Sequence, residues 1–300
     1  MVATVLDHAA SRRREGQILV ALAALAWSSA GVLQRRLDLD AATQIAGRAV
    51  FAALALALFV AVTERGHVVR ATRSVGWAGV AFAVCLALAS GSFIAALNHT
   101  SVARVLFIQA ISPVLASLLA WIALKEPIDK RTAIALATAI GGVALMLGAP
   151  GAGNLEGDAL ALVMATAFAV ALVISRHRKD VSMAPATFLS QLILIAVFWP
   201  FAALGEVPRS DIPELAAMGA GQIGLGLALL TVGARLIPAA QVALITLLEV
   251  VLGPLWVWLA YDERPETSTL VGGAIVIVAI LIQTSGGPAS DEEKEAVPPP

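Results

Sequence analysis

Apolar runs of roughly the length that a helix needs to cross a bilayer, about 17–25 residues, recur along this chain. Ten such runs occupy residues 17–33, 42–62, 75–97, 103–124, 132–147, 158–175, 185–204, 213–234, 239–261 and 269–283. Alanine and leucine dominate them, and the period-two alternation of a membrane β-barrel is absent, which favours helices. The sequence therefore predicts an all-α integral membrane protein with ten transmembrane helices.

The composition excludes several classes of protein. Of 300 residues, 59% are hydrophobic and 14% are charged, whereas a soluble domain carries about 25% charged residues. The net charge of −1 gives no basic excess for binding nucleic acid. The single cysteine, Cys85, excludes an intramolecular disulfide, and no zinc-binding spacing or nucleophile motif occurs. We expect a lipid bilayer as partner, no cofactor and no enzymatic activity.

The distribution of basic residues predicts the orientation. With the N-terminus inside, fourteen of the 20 basic residues fall in cytoplasmic segments, as the positive-inside rule requires. We expect an inner (plasma) membrane protein with both termini in the cytoplasm. The predicted organisation is an arm, a first five-helix repeat, a linker, a second five-helix repeat and a disordered acidic, proline-rich tail, at residues 1–16, 17–148, 149–157, 158–283 and 284–300.

The two repeats are visible as matches at nearly constant offsets. At 141 residues Trp27 is matched by Phe168, and at 137 residues Glu126 is matched by Glu263. Chance agreement among alanine, leucine and valine is the alternative interpretation. Because five is an odd number, the second repeat would enter the membrane from the opposite side. Such inverted repeats are common in secondary transporters, whose substrate site lies between the repeats.

Several local motifs resemble one known family. They are Ala-Trp-Ser-Ser at the end of a glycine-led first helix (16–29), Arg48 in the second span, Leu-Lys-Glu-Pro after the fourth (124–127) and Tyr-Asp-Glu-Arg-Pro after the ninth (261–265). Over residues 16–283 the chain resembles the EamA type of the drug/metabolite transporter superfamily. The resemblance implies an inner-membrane exporter of amino acids and related metabolites, and the YddG-like aromatic amino acid exporters are similar in size and layout.

Two charged residues within apolar runs are the sharpest candidates for function. An arginine inside a span costs about 2.5–3.5 kcal/mol on insertion scales, so Arg48 either anchors a substrate carboxylate or reaches helix carbonyls or the interface. Burial favours the protonated form of Glu249, which makes proton coupling one interpretation. A salt bridge to Arg48 and a hydrogen bond to a helix backbone are the others.

Further candidates for the substrate site are aromatic or polar residues that lie within a span or next to one. Two prolines, which free backbone carbonyls inside the fourth and ninth spans, are predicted hinges: Pro113 and Pro254. The predicted substrate-binding residues, besides Arg48, are Trp27, Ser28, Ser29, Asn98, His99 and Trp256.

These features predict a secondary active transporter that exports small metabolites by alternating access. Amino acids, aromatic ones included, are the expected substrates, and protons are a candidate coupling ion. An integral membrane enzyme and a non-transporting scaffold subunit are the alternatives. An enzyme of this kind would be expected to cluster histidines or acids at one membrane face, and a scaffold would not need Arg48 and Glu249 in its interior.

Overall fold

A computed structural model describes residues 2–34, 36–65, 68–100, 102–147, 154–262 and 264–285. Within these ranges the chain is helical and contains no strand. The helices of the first half are α1 Val2–Ser28, α2 Ala30–Gln34, α3 Ala41–Thr63, α4 Val68–His99, α5 Val102–Gln109, α6 Ser112–Leu124 and α7 Lys130–Leu147. Those of the second half are α8 Leu155–His177, α9 Ala184–Phe198, α10 Ile212–Ala216, α11 Leu225–Gly233, α12 Ala239–Thr246, α13 Leu248–Tyr261 and α14 Thr267–Thr284.

Within the described ranges, eight helical segments are long and apolar enough to cross a membrane. They are Ala41–Thr63, Val69–Ala96, Val105–Leu124, Leu155–His177, Ala184–Phe201, Ile212–Gly233, Ala239–Tyr261 and Thr267–Thr284. The first and fifth predicted spans are helical as well, but they are not among the eight. Helix α1 carries charged residues through its first half, and α7 begins with a lysine and an arginine. The all-helical membrane fold is confirmed, and the count of ten spans stays a prediction.

The ends of the helices repeat along the chain. Helices α5 and α12 end 137 residues apart, as do α6 and α13, and α7 and α14 correspond at both ends with the same offset. The residues that follow α6 and α13, Lys125 and Asp262, adopt left-handed backbone conformations with φ of 59° and 55°. Such angles are uncommon outside glycine, so their recurrence at this offset supports duplication of the chain.

The packing of the helices respects the same duplication. Helix α3 packs against its counterpart α9, and α7 packs against its counterpart α14. Helix α4 packs against α8 in the way that the later segment α11 packs against α1. When the two halves are exchanged, the first two contacts map onto themselves and the third maps onto the fourth. This is the pattern that a pseudo-two-fold axis produces. Gly142 and Gly272 allow the close approach of α7 and α14, because a Cβ on Gly142 would lie 2.8 Å from the Gly272 carbonyl oxygen.

Helix α3 has a well-defined start, which fixes the depth of the residues that follow. Asp40 accepts hydrogen bonds from the backbone N–H and the hydroxyl of Thr43, at 3.0 Å and 2.5 Å, as a helix N-cap. These bonds lower the pKa of the Asp40 carboxyl below its ordinary value. The Thr43 hydroxyl also accepts from the Ala203 backbone N–H at 2.8 Å. The start of α3 is thereby tied to the segment that follows α9.

Candidate functional site

A cavity of about 720 Å³ lies between helices of both halves. This volume falls within the range of about 300–1,000 Å³ that is typical of small-molecule sites. Its wall is mostly apolar, with a few polar side chains. The polar and aromatic residues of the wall are Trp27, Ser28, Arg48, Ser90, Phe93, Gln109, Phe168, Gln191, Gln222, Glu249 and, at the exposed end, Arg264.

Arg48 is a buried cation in the wall of this cavity. Its side chain lies on α3 and is only 4% exposed. The Nη2 atom donates to the hydroxyl of Ser90 on α4 at 2.8 Å and to the Ser90 carbonyl at 3.4 Å. A guanidinium has five N–H donors in a planar fork, so these bonds leave donors for a ligand. The position is not that of a side chain reaching for the membrane surface.

Glu249 is the carboxylate of the same cavity. It lies in the first turn of α13, and the amide of Gln109, at the end of α5, donates to its Oε1. The Oε1 atom of Gln109 is buried without a partner. Among the described residues no ion pair joins Glu249 to Arg48. The cavity thus presents a cationic group and an acidic group that are not neutralised by each other.

Trp27 and Phe168 meet inside the cavity edge to face. Their ring centroids are 6.1 Å apart and the ring planes are inclined by 73°, a favourable geometry for aromatic rings. The two residues are separated by 141 positions, the offset at which the sequence repeats. Counterparts that touch each other must lie close to the axis that exchanges the repeats. The aromatic pair therefore marks the centre of the pseudo-symmetric assembly.

Gly226 provides the space that Trp27 occupies. A Cβ added at Gly226 would collide with the indole Nε1 and would lie 2.6 Å from Cδ1. We expect Gly226→Ala to displace the indole, to change the tryptophan fluorescence, and to cost the folded state about 1–3 kcal/mol, as overpacking does. Thermal unfolding of the purified protein measures the loss.

Gly221→Ala is the matched control for that substitution. It lies in the same part of the chain, and a Cβ there would meet nothing within 4 Å. If both variants unfold at the temperature of the wild type with unchanged fluorescence, Trp27 does not depend on Gly226 for its position.

Both predicted serines form hydrogen bonds within the protein. The Ser28 hydroxyl donates to the Leu25 carbonyl at 2.6 Å and accepts from the Trp256 indole N–H at 2.7 Å. The Ser29 hydroxyl donates to the Ala26 carbonyl at 2.7 Å. Ser28 lines the cavity, whereas Ser29 and Trp256 are not part of its described lining. The structure thus brings Trp27, Ser28, Arg48 and Glu249 together and gives Trp256 a supporting position behind Ser28.

Asn98 and His99 lie at the end of α4. The side chain of Asn98 is outside the described residues. His99 is exposed, and its Nδ1 lies 3.7 Å from a carboxylate oxygen of Glu156 at the start of α8. His99 does not line the cavity.

Both predicted hinge spans are interrupted, at corresponding places. Ala110 and Ile111 separate α5 from α6, and Leu247 separates α12 from α13. Pro113 is buried in the first turn of α6, immediately after the first interruption. Pro254 lies inside α13, beyond the second interruption, and lines the cavity. The breaks therefore place the end of α5 and the first turn of α13, with Gln109 and Glu249, at the cavity.

The neutral polar residues of the site were not predicted from the sequence. Gln109, Gln191 and Gln222 are isolated polar residues in apolar runs, so they carry the same signal as Arg48 in a weaker form. Phe168 was identified only as the counterpart of Trp27 in the second repeat and not as a residue of the site. Ser90 gave no signal of its own, because small hydroxyl residues are frequent in membrane helices. In the parts of the chain that the structure covers, no cluster of histidine, cysteine or acidic residues could hold a metal ion.

An interrupted helical bundle with a central cavity between two repeats is the architecture of a secondary transporter. The chain matches the EamA-like transporter family twice, over residues 14–148 and 155–285, and it belongs to that family. A solved crystal structure described only as that of a protein is similar, with a TM-score of 0.77 and 17% sequence identity, over 94% of this chain and 99% of the other. At that identity the likeness is one of fold. No curated protein matches the chain.

Proposed function

We propose that the protein exports small zwitterionic metabolites, with amino acids, aromatic ones included, as the leading candidates. The observation that carries this proposal is the presence of Arg48 and Glu249 in one cavity without an ion pair between them. A guanidinium binds a carboxylate with two parallel hydrogen bonds, and a carboxylate attracts an ammonium group. A ligand that bears both groups satisfies both residues, while its side chain contacts the apolar wall.

The proposed topology has ten spans in two inverted repeats, with both termini in the cytoplasm of an inner-membrane protein. The surplus of basic residues on one side supports it, together with the exchange pattern of the helix contacts. Helices α1 and α7 supply the two spans beyond the eight most apolar ones. A reporter enzyme that works only in the cytoplasm is expected to be active when it is fused to the C-terminus. Activity of a reporter that works only in the periplasm, fused at the same place, would contradict the topology.

Alternating access requires one end of the cavity to be closed while the other is open. The cavity lining reaches Arg264 and Pro265, between α13 and α14. The corresponding connection of the first repeat, between α6 and α7, carries Glu126. In inverted repeats these two connections lie on opposite sides of the membrane. We therefore assign the opening to the outer side and the closed end to the cytoplasmic side.

Polar bonds tie the closed end together; we name Glu126, Arg176 and Arg235 the cytoplasmic seal. Arg176 Nε donates to the Glu126 carboxylate at 2.8 Å, and its Nη1 donates to the Arg235 carbonyl at 3.3 Å. Arg235 Nε in turn donates to the Lys179 carbonyl at 2.7 Å. Burial lowers the pKa of the Arg235 guanidinium, and nearby Asp180 opposes that shift. The seal thus joins the end of α8 to the connections that follow α6 and α11.

We expect Arg176→Gln to weaken the seal and expose the cavity to the cytoplasm. A partly exposed ion pair contributes up to about 1 kcal/mol, so the population of the open end should rise by up to about fivefold. The measurement is the rate at which a membrane-impermeant thiol reagent, applied to the cytoplasmic side, labels Ala89→Cys in a Cys85→Ala background. Ala89 lines the cavity.

Arg178→Gln is the control for that experiment. Arg178 lies two residues further on and donates to the Ser74 carbonyl at 3.3 Å, away from Glu126. Equal labelling rates for both variants would show that the pair between Arg176 and Glu126 does not hold the end closed.

The decisive test of the function is transport by the purified protein in proteoliposomes. Uptake of labelled amino acids is measured with and without a pH gradient, against vesicles that lack the protein. Saturable uptake of zwitterionic amino acids supports the proposal, and acceleration by the gradient supports proton coupling. The absence of uptake for every amino acid, in protein that is folded, would overturn the proposal and favour a scaffold or an enzyme.

A further inference from the structure

Gln191 occupies the position in the second half that Arg48 occupies in the first. Arg48 is the eighth residue of α3, and Gln191 is the eighth residue of α9. These two helices are counterparts and pack against each other. Both side chains line the cavity, and they are only 4% and 2% exposed. The pseudo-two-fold axis therefore relates two buried polar groups of the same cavity.

Both side chains are held in place by a serine hydroxyl. Arg48 Nη2 donates to Ser90 at 2.8 Å, and Gln191 Nε2 donates to Ser190 at 3.0 Å. The Ser190 hydroxyl itself donates to the Thr187 carbonyl at 2.6 Å, which orients its lone pairs toward Gln191. A carboxamide nitrogen has two N–H donors, and this bond uses one of them. Gln191 therefore retains a donor, as Arg48 does.

We propose that Gln191 and Arg48 together form a subsite for the carboxylate of the substrate, between α3 and α9. The inference rests on the proposed function and names a second residue that recognises the ligand. A carboxylate offers about four acceptor sites on two oxygens, which suits a guanidinium on one side and an amide N–H on the other. The neutral amide adds a hydrogen bond without a second buried positive charge, so one carboxylate balances one guanidinium.

The subsite is tested by comparing ligands with and without the carboxylate. Thermal stabilisation of the detergent-solubilised protein by leucine, phenylalanine and their carboxamides gives four dissociation constants. We expect Gln191→Met, which keeps the length of the side chain and removes its hydrogen bonds, to weaken binding of both amino acids about tenfold or more. Binding of the two carboxamides should change much less, because they lack the charged acceptor.

Gln44→Leu is the control substitution. Gln44 is a buried glutamine of α3 that donates to the Leu39 carbonyl at 3.2 Å and does not line the cavity. The double variant Arg48→Gln with Gln191→Arg exchanges the two groups across the axis. It is expected to bind both amino acids more tightly than Arg48→Gln alone, provided that the positions face the same ligand group.

The possible results distinguish a failure of the carboxylate subsite from a failure of the proposed function. The carboxylate subsite is wrong if Gln191→Met weakens the binding of amino acids and carboxamides equally, or weakens the binding of neither, and if the double variant does not recover affinity. The proposed function stands in that case. If the wild type is stabilised by none of the four ligands and transports no amino acid, the proposed function fails, and this inference fails with it.

Discussion

Arg48→Ala is expected to abolish measurable amino acid transport while the protein remains folded in the membrane. Truncating one partner of a buried, hydrogen-bonded charge pair costs about 2–5 kcal/mol, which corresponds to about 30-fold to several-thousand-fold in affinity. Few internal bonds are lost, because among the described residues the Arg48 side chain donates hydrogen bonds to Ser90. Uptake into proteoliposomes, with thermal unfolding as the check on folding, measures both parts of the prediction.

Two further substitutions distinguish ligand binding from helix packing at Arg48. Arg48→Lys keeps the charge but loses the planar fork, so it should retain weak transport. Ser90→Ala removes the hydroxyl that orients the guanidinium, so it should reduce affinity less than Arg48→Ala does. Normal transport by Arg48→Ala would assign the arginine to holding α3 against α4, and the zwitterion proposal would lose its cationic contact.

Most of the fold could be predicted from the sequence, because membrane helices are recognised by their length and hydropathy. The all-helical architecture and the two repeats are confirmed, and so is membership of the EamA-like family. Interruptions within spans were harder to predict. Residues Ala217–Gly224 form a π-helical stretch between α10 and α11, where Gly219 brings this backbone against the Arg48 carbonyl. That irregularity depends on a contact between distant segments, which periodicity does not record.

The site was only partly accessible, for a related reason. Arg48 and Glu249 stand out because a charge in an apolar run is costly. The rotation of each helix is not readable in runs of alanine and leucine that are apolar all round, so Trp256 and Ser29 were assigned to the cavity together with Trp27. Which side chains face the cavity is determined by the contacts between helices. The indole N–H of Trp256 donates to the Ser28 hydroxyl, and the amide of Gln109 donates to the Glu249 carboxylate.

Glu249→Gln is expected to remove the acceleration of transport by a pH gradient, while exchange of substrate across the membrane continues with weaker substrate binding. The substitution keeps the shape and the hydrogen-bonding capacity of the side chain but removes its titration. In the described part of the chain the partner of Glu249 is the neutral amide of Gln109. Glu249 is half-buried, and within a membrane span a carboxylate that lacks a cationic partner is stable only if it is protonated or balanced by a bound cation. Proton binding and substrate binding would then compete for this one group.

The competing interpretations of Glu249 give different results in the same assay. If the carboxylate serves only to bind the substrate ammonium, Glu249→Gln should weaken binding of leucine at every pH, and the pH profile of the remaining transport should keep its shape. If it pairs with Arg48 in another state of the transport cycle, the single variant should lose stability, and adding Arg48→Gln should restore part of it. Gln109→Leu is the matched probe, since it removes the neighbouring amide without touching the titrating group. A Glu249→Gln variant with wild-type rate, affinity, stability and pH profile would leave this residue with no role in coupling or recognition.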